Sequence, residues 1–256
     1  MQYDLIILGS GESGTGAALL AKAKGISVFV SDQGIIPERF KTELSEAGIA
    51  YEEGGHSTQT ILQASEIVKS PGIPEKAPII KAIREKGIPV ISEIELAYRY
   101  KGQSKIVCIT GSNGKTTTTS LLYHMFQHAG RDVSVVGNIG HSFARQLVLK
   151  PTQWYVMEIS SFQLDDIQQF RPDIAVILNI TPDHLDRYNY DFSSYVKAKF
   201  NITRNQQEDD VLVLCKDDQT IQEFISKNPI NSKTLFFTMK EQLTGDGAYV
   251  NDNELI

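Results

Sequence analysis

Lys105-Ile-Val-Cys-Ile-Thr-Gly-Ser-Asn-Gly-Lys-Thr-Thr117 is the stretch on which the fold turns. Lys105–Thr110 is a near-continuous apolar run, the mark of a strand buried on both faces, and a helical pattern follows over Thr116–His128. A strand that enters a helix through Gly-x-x-Gly-Lys-Thr is a phosphate-binding loop. Backbone N–H groups cradle phosphate oxygens, Lys115 neutralises β and γ charge, and the Thr116 hydroxyl can ligate Mg²⁺. The expected cradle is Gly111, Ser112, Asn113, Gly114, Lys115, Thr116 and Thr117. It is shorter than the common G-x-x-x-x-G-K-[ST], whose first glycine would fall on Ile109.

Outward from this loop, apolar β-rich runs alternate with helical spacing. Strands are expected over Tyr3–Leu8, Ser27–Ser31, Ile67–Lys69, Lys105–Thr110, Val133–Val136, Trp154–Ile159, Ile174–Asn179 and Val211–Cys215. Helices are expected over Thr15–Lys24, Pro78–Lys86, Thr116–His128 and Ser193–Arg204. That alternation predicts parallel sheets in an α/β fold. The polar stretch around Ala97–Ser104 separates two α/β runs, so domains are expected over about 1–96 and 104–256. The end, Gly245 to Ile256, reads as a turn, a strand and Asn-Asp-Asn, with the expectation that the chain stops before a partner strand and so is a truncated piece.

The first run has its own glycine loop. Gly9-Ser-Gly-Glu-Ser-Gly14 follows Asp4–Leu8 and opens a helix, the arrangement in which successive glycines permit a tight turn, phosphate approach and close helix–strand packing. Asp32 ends the next strand, where a ribose or base contact is usual. The N-terminal domain is therefore read as a Rossmann-like parallel sheet, and the second as a P-loop ATPase-type α/β domain. NAD is the ordinary ligand of the first loop. Two phosphate loops in one chain, however, exceed what a dehydrogenase or a P-loop kinase needs.

Two further motifs fall at C-terminal strand ends, where side chains of open α/β sheets face the ligand crevice. One is Glu158-Ile-Ser-Ser-Phe-Gln-Leu164; the other is Asn179-Ile-Thr-Pro-Asp-His-Leu-Asp-Arg187. A carboxylate and an imidazole there could hold a second Mg²⁺ and orient a phosphate. A lone histidine is more often structural, but the place of His184 between Asp183 and Asp186 favours a site role. Lys197 and Lys199 lie on a predicted helix, and on pattern alone they read as solvated.

Composition sets the bounds. A chain of 256 residues, 41% hydrophobic and 22% charged, is that of a folded protein. No apolar run reaches the roughly 18 residues of a membrane span, and no basic n-region opens the sequence, so a cytoplasmic protein without a membrane partner is expected. Two cysteines, Cys108 and Cys215, each in an apolar stretch, read as buried reduced thiols. The net charge of −6 argues against a nucleic-acid partner.

Together Gly111–Thr117, Gly137-Asn-Ile-Gly140, Glu158–Leu164, Asn179–Arg187 and Ser70-Pro-Gly72 resemble the Mur ligase family, over essentially the whole chain. The short Gly-x-x-Gly-Lys-Thr form is also similar to that of folylpolyglutamate synthetases. Those lack an N-terminal glycine-loop domain of this kind. Asn113, where the L-alanine-adding members usually have His, favours the D-glutamate-adding branch, as do the Gly-Asn-Ile-Gly and Ser-Ser-Phe-Gln-Leu motifs.

The resemblance implies an ATP-dependent amide ligase of peptidoglycan synthesis. It would act on UDP-N-acetylmuramoyl-L-alanine and D-glutamate through an acyl phosphate, as a monomer. It places the uridine diphosphate at the first glycine loop, with Glu12, Ser13, Asp32, Ser70 and Gly72, and the diphosphate and muramoyl part at Asn138, Gln163 and His184. It gives Lys115 and Thr116 to ATP and Mg²⁺, and Glu158 and His184 to magnesium. Lys199 would be carbamylated, a carboxylate-like group for a second Mg²⁺, with Lys197 as its nearby competitor. Lys115, His184 and Lys199 would be catalytic. The family has a third domain with no counterpart in these residues, so they are expected to be inactive alone. The rival readings are the L-alanine-adding member and a nucleotide-binding module without ligase activity.

Overall fold

The computed structural model describes residues 3–251 and 254–256. The chain divides into two compact units: 1–103 with 136–152 and 165–169, and 104–135 with 153–164 and 170–256.

The first unit runs β1 (Leu5–Leu8), α1 (Glu12–Ala23), β2 (Val28–Ser31), α2 (Glu38–Glu46), β3 (Ala50–Glu52), α3 (Thr58–Ile61), β4 (Glu66–Lys69), α4 (Pro78–Glu85), β5 (Val90–Ile91) and α5 (Glu93–Tyr98). Its five strands lie in the order β3-β2-β1-β4-β5, all parallel. All of β1 is buried, because both faces are covered. The Ile79, Ile80 and Ile83 stripe of α4 packs into the same core as Ile6, Leu8, Ile67 and Val90. The chain leaves β1 toward β2 on one side and returns to β4 on the other. The topological switch point, where α/β sheets open a ligand crevice, is thus at the first glycine loop.

The second unit starts with β6 (Lys105–Thr110), α6 (Lys115–His128) and β7 (Val133–Gly137); α7 (Phe143–Leu149), which counts with the first unit, comes next in the chain, followed by β8 (Trp154–Glu158) and α8 (Ser161–Asp165). It continues with β9 (Ile174–Ile177), α9 (Phe192–Phe200), β10 (Val211–Cys215), α10 (Gln219–Lys227), β11 (Lys233–Thr238), β12 (Gly247–Asn251) and β13 (Glu254–Leu255). The eight strands lie in the order β13-β12-β11-β10-β9-β6-β8-β7. The ladders from β8 to β12 are parallel, and β12–β13 is antiparallel. Here β6 is flanked by β8 and β9, so the second glycine loop also leaves a switch-point strand.

Two expectations change. The compact units depart from the expected contiguous domains over 1–96 and 104–256 in that 136–152, with α7, and 165–169 count with the first unit. The reason is local. Gly16 leaves α1 bare where α7 approaches, since a Cβ there would stand 2.1 Å from Ser142 Oγ. Arg145 on α7 then pairs with Glu12 at 2.7 Å and with Glu43. The second change is at the end: β12 does have a partner, β13, with Val250 opposite Leu255. Residues 252 and 253 of the expected Asn-Asp-Asn turn lie outside the described residues. Of the cysteines, Cys108 is buried and Cys215 half-buried, and neither forms a disulfide.

Candidate functional site

In the second unit the loop between β6 and α6 is shaped by side chains from neighbouring strand ends. Asn179, just past β9, holds Asn113 at both ends: its Oδ1 accepts from the Asn113 N–H at 2.8 Å and its Nδ2 donates to the Asn113 carbonyl at 3.0 Å. The Ser112 N–H donates to the Asn179 carbonyl at 2.9 Å. The Ser112 hydroxyl donates to the Thr181 carbonyl and lies 3.1 Å from the Tyr195 hydroxyl. The N–H groups of Ser112 and Asn113 are thus committed inside the protein. Gly114, at the N-cap of α6, and Lys115, Thr116 and Thr117, its first turn, are left to offer donors to an anion. Gly114 takes φ +82, a left-handed turn that sets the helix entry.

Lys115 Nζ donates to the carbonyls of Gly111 and Ser112, both at 2.9 Å. The Thr116 hydroxyl donates to Glu158 Oε2 at 2.8 Å, and Glu158 itself is buried at the end of β8. Lys199, on α9, reaches the same loop: Nζ donates to the Gly111 carbonyl at 2.8 Å and lies 4.7 Å from the centre of the Tyr195 ring. Burial, helped by the Lys115 charge and opposed by Asp183, lowers its pKa to about 7. A helix lysine is usually solvated, yet Lys199 is only 2% exposed. Lys197 is exposed, which separates the two lysines the sequence left as competitors.

The structure therefore brings together Gly111, Ser112, Asn113, Lys115, Thr116, Glu158 and Lys199. Oxygen donors from Thr116 and Glu158, side by side at a phosphate loop, fit a hard cation that keeps most of its shell for water and phosphate. Among the described residues, no group of three or more His, Cys, Asp or Glu could hold a metal by itself. His184 is not hydrogen-bonded to this set. Its ring sits 5.7 Å from that of Phe162 and 3.7 Å from Asp183 Oδ2, at a left-handed backbone, φ 49. Gln163 is buried, with Oε1 accepting from the Ser160 N–H and hydroxyl.

In the first unit a cavity of about 1070 Å³ opens at the switch point, and Glu12, Ser13, Asp32, Ser70 and Gly72 all line it. Asp32 closes the glycine loop: Oδ2 accepts from the Ser10 N–H at 2.7 Å and hydroxyl at 2.6 Å, and Oδ1 accepts from the Gly34 N–H. Burial works to raise its pKa, but those bonds and nearby His56 outweigh it and hold the carboxyl below its ordinary value. Gly9, φ +88, permits the turn, and a Cβ at Gly14 would stand 1.8 Å from the Gly9 carbonyl oxygen. Asn138, in the turn before α7, counts with this unit.

Sequence reasoning missed Gln33 and His56, which also line the cavity. The Gly-Gly turn before His56, after the short β3, was the available signal.

Residues 109–254 match the Mur ligase middle domain, and residues 3–92 match the Mur ligase MurD-like N-terminal domain. The chain belongs to the Mur ligase family. Relatives in the family include a Porphyromonas gingivalis UDP-N-acetylmuramoylalanine–D-glutamate ligase, 51% identical over 100% of this chain and 57% of its own length. A Bacteroides fragilis protein of the same name is 52% identical over 98% of this chain and 56% of its length. The chain thus spans a little over half the length of these curated relatives. Among solved structures, a Neisseria meningitides UDP-N-acetylmuramate:L-alanyl-gamma-D-glutamyl-meso-diaminopimelate ligase superposes with TM-score 0.65 at 22% identity, covering 95% of this chain and 82% of that one. The Thermotoga maritima UDP-N-acetylmuramate–alanine ligase gives 0.56 at 21% identity, over 94% and 53%. At those identities the likeness is one of fold.

Proposed function

We propose that this chain carries the nucleotide-sugar and ATP sites of a cytoplasmic, monomeric ligase that adds D-glutamate to UDP-N-acetylmuramoyl-L-alanine in peptidoglycan synthesis. The supporting observation is the cradle in which Lys115, the Thr116–Glu158 pair and buried Lys199 meet at one loop, in a chain about half identical to ligases of that name.

The first cavity would take the uridine diphosphate, with Glu12, Ser13, Asp32, Ser70 and Gly72. Asn138, Gln163 and His184 would contact its diphosphate and sugar. Lys115 and the first-turn N–H groups of α6 would hold ATP phosphates and offset the repulsion between the triphosphate and an incoming carboxylate. The substrate carboxylate oxygen then bonds to the γ-phosphorus as the bond to ADP breaks. The D-glutamate amine adds to the acyl carbon, and the tetrahedral intermediate expels phosphate with the C–O electron pair while the nitrogen loses its proton.

Thr116 and Glu158 would hold a Mg²⁺, which when bound supplies charge neutralisation at the phosphates. As an ammonium, Lys199 cannot ligate metal. Its pKa near 7 leaves a large neutral fraction able to add CO₂, and the resulting carbamate, with His184, would serve a second Mg²⁺. A ¹³C-bicarbonate NMR signal that disappears in Lys199→Arg tests this.

Calorimetric binding of UDP-N-acetylmuramoyl-L-alanine, UDP-N-acetylmuramic acid, NAD and dihydrofolate tests the substrate reading. Preference for the first supports it. Preference for the second points to alanine addition, and preference for NAD to a module without ligase activity.

A further inference from the structure

A hydrogen-bond chain at the rim of the first cavity fixes the tautomer of a histidine. Ser31, the last residue of β2, is fully buried, and its hydroxyl donates to Glu52 Oε1 at 2.6 Å while lying 2.7 Å from His56 Nδ1. Glu52 also accepts from the Ser57 N–H and hydroxyl. Burial works to raise the Glu52 pKa, but these donors and His56 outweigh it, so the group is ionised and acceptor-only.

A hydroxyl has one proton to give. With that proton on the Glu52 carboxylate, Ser31 Oγ can only accept from His56, and Nδ1 carries the hydrogen. Burial lowers the His56 pKa, against the pull of Glu52 and Asp32, so the ring is neutral at pH 7. The remaining nitrogen, Nε2, is a bare lone pair on the side of the ring away from Ser31. It has no protein partner among the described residues, and the ring lines the cavity.

We propose that His56 is a specificity-determining residue of this cavity, an obligate acceptor that selects a nucleobase bearing a ring N–H, the imide of uracil. Cytosine offers an acceptor at the corresponding ring nitrogen, which would set two lone pairs against each other and leave a buried polar group unpaired. The inference rests on the reading of the cavity as the uridine diphosphate site.

Titration calorimetry on the 256-residue chain with UDP, CDP and N3-methyl-UDP tests it. UDP should bind about tenfold or more tighter than the other two, the scale of one unmet buried hydrogen bond. His56→Leu should bring the three within about twofold of each other. The ¹⁵N shifts of the wild-type imidazole give a readout that no folding defect disturbs, and should report hydrogen on Nδ1 alone. Equal affinity for UDP and CDP, a UDP preference that survives in His56→Leu, or hydrogen on Nε2 would each overturn the inference while leaving the cavity reading intact. Failure of all three nucleotides to bind would remove the cavity reading, and this inference with it.

Discussion

Lys199 and Glu93 are buried ionisable groups that tilt stability with pH in opposite directions. For Lys199 the folded pKa is about 7 against 10.5 in an open chain. Between those values the unfolded chain binds the proton and the fold does not, so stability rises with pH across that window. For Glu93, on α5, burial raises the pKa from 4.5 to about 8, with Glu12 adding and the Ala144 N–H opposing. There the fold keeps a proton that the unfolded chain has lost, and stability falls as pH rises from 4.5 to 8. Melting curves in bicarbonate-free buffer should show Glu93→Gln gaining several degrees on wild type as pH climbs to 8. They should show Lys199→Met losing ground to wild type from pH 7 upward. Curves that stay parallel would refute both assignments. Neither group was legible at this level in the sequence: Glu93 stands in an ordinary polar–apolar pattern. Lys199 was singled out by resemblance, and on pattern alone would have been taken for a solvated lysine. Burial comes from what packs on a helix, which its own sequence does not record.

At the scale of elements, the glycines of α1 divide by what lies opposite them. A Cβ at Gly14 meets backbone at 1.8 Å, one at Gly16 meets Ser142 Oγ, and one at Gly11 meets nothing within 4 Å. Ser142 caps α7, its hydroxyl accepting from the Arg145 N–H, so Gly16→Ala should both overpack α1 against α7 and disturb that cap. A loss of about 1–3 kcal/mol is expected from urea unfolding, and Gly14→Ala should cost at least as much, because backbone gives way less readily than a hydroxyl. Gly11→Ala should leave unfolding unchanged and weaken nucleotide binding instead, since Gly11 lines the cavity. A destabilised Gly11→Ala would contradict this division.

The same comparison shows what sequence could reach. Lys105–Thr110 and Val211–Cys215 were read to the residue because continuous apolar runs between polar flanks have little ambiguity. Three-residue β3 and two-residue β5 are too short for any periodicity. The partly exposed β11 escaped as well. Gly14 was legible because its partner, Gly9, lies within the motif, and Gly9 because the left-handed turn it makes belongs to the motif, although the side chain opposite it is that of Ser70. Gly16 was not, because its partner, Ser142, is far along the chain.

At the scale of the molecule, the proposed reading gives each glycine loop one of the three substrates an amide ligase must gather. Each loop leaves the first strand of its own sheet at a switch point, so on that reading the two anion sites follow from topology. The proposed reading assigns none of the described residues to the amine substrate, and the chain spans a little over half of the relatives' length. Holding nucleophile and acyl group in contact is worth on the order of 10⁵ M or more in effective concentration. A protein that binds two substrates and leaves the third in bulk solution forgoes that factor. These 256 residues by themselves are therefore expected to bind the UDP substrate and an ATP analogue, with Lys115→Ala weakening the latter at least tenfold. Amide formation with D-glutamate should stay below detection even at millimolar amine. The decisive assay follows radiolabelled D-glutamate into a UDP-linked product. Label in that product at a rate near that of a full-length relative would show that the amine site is already complete within these two units.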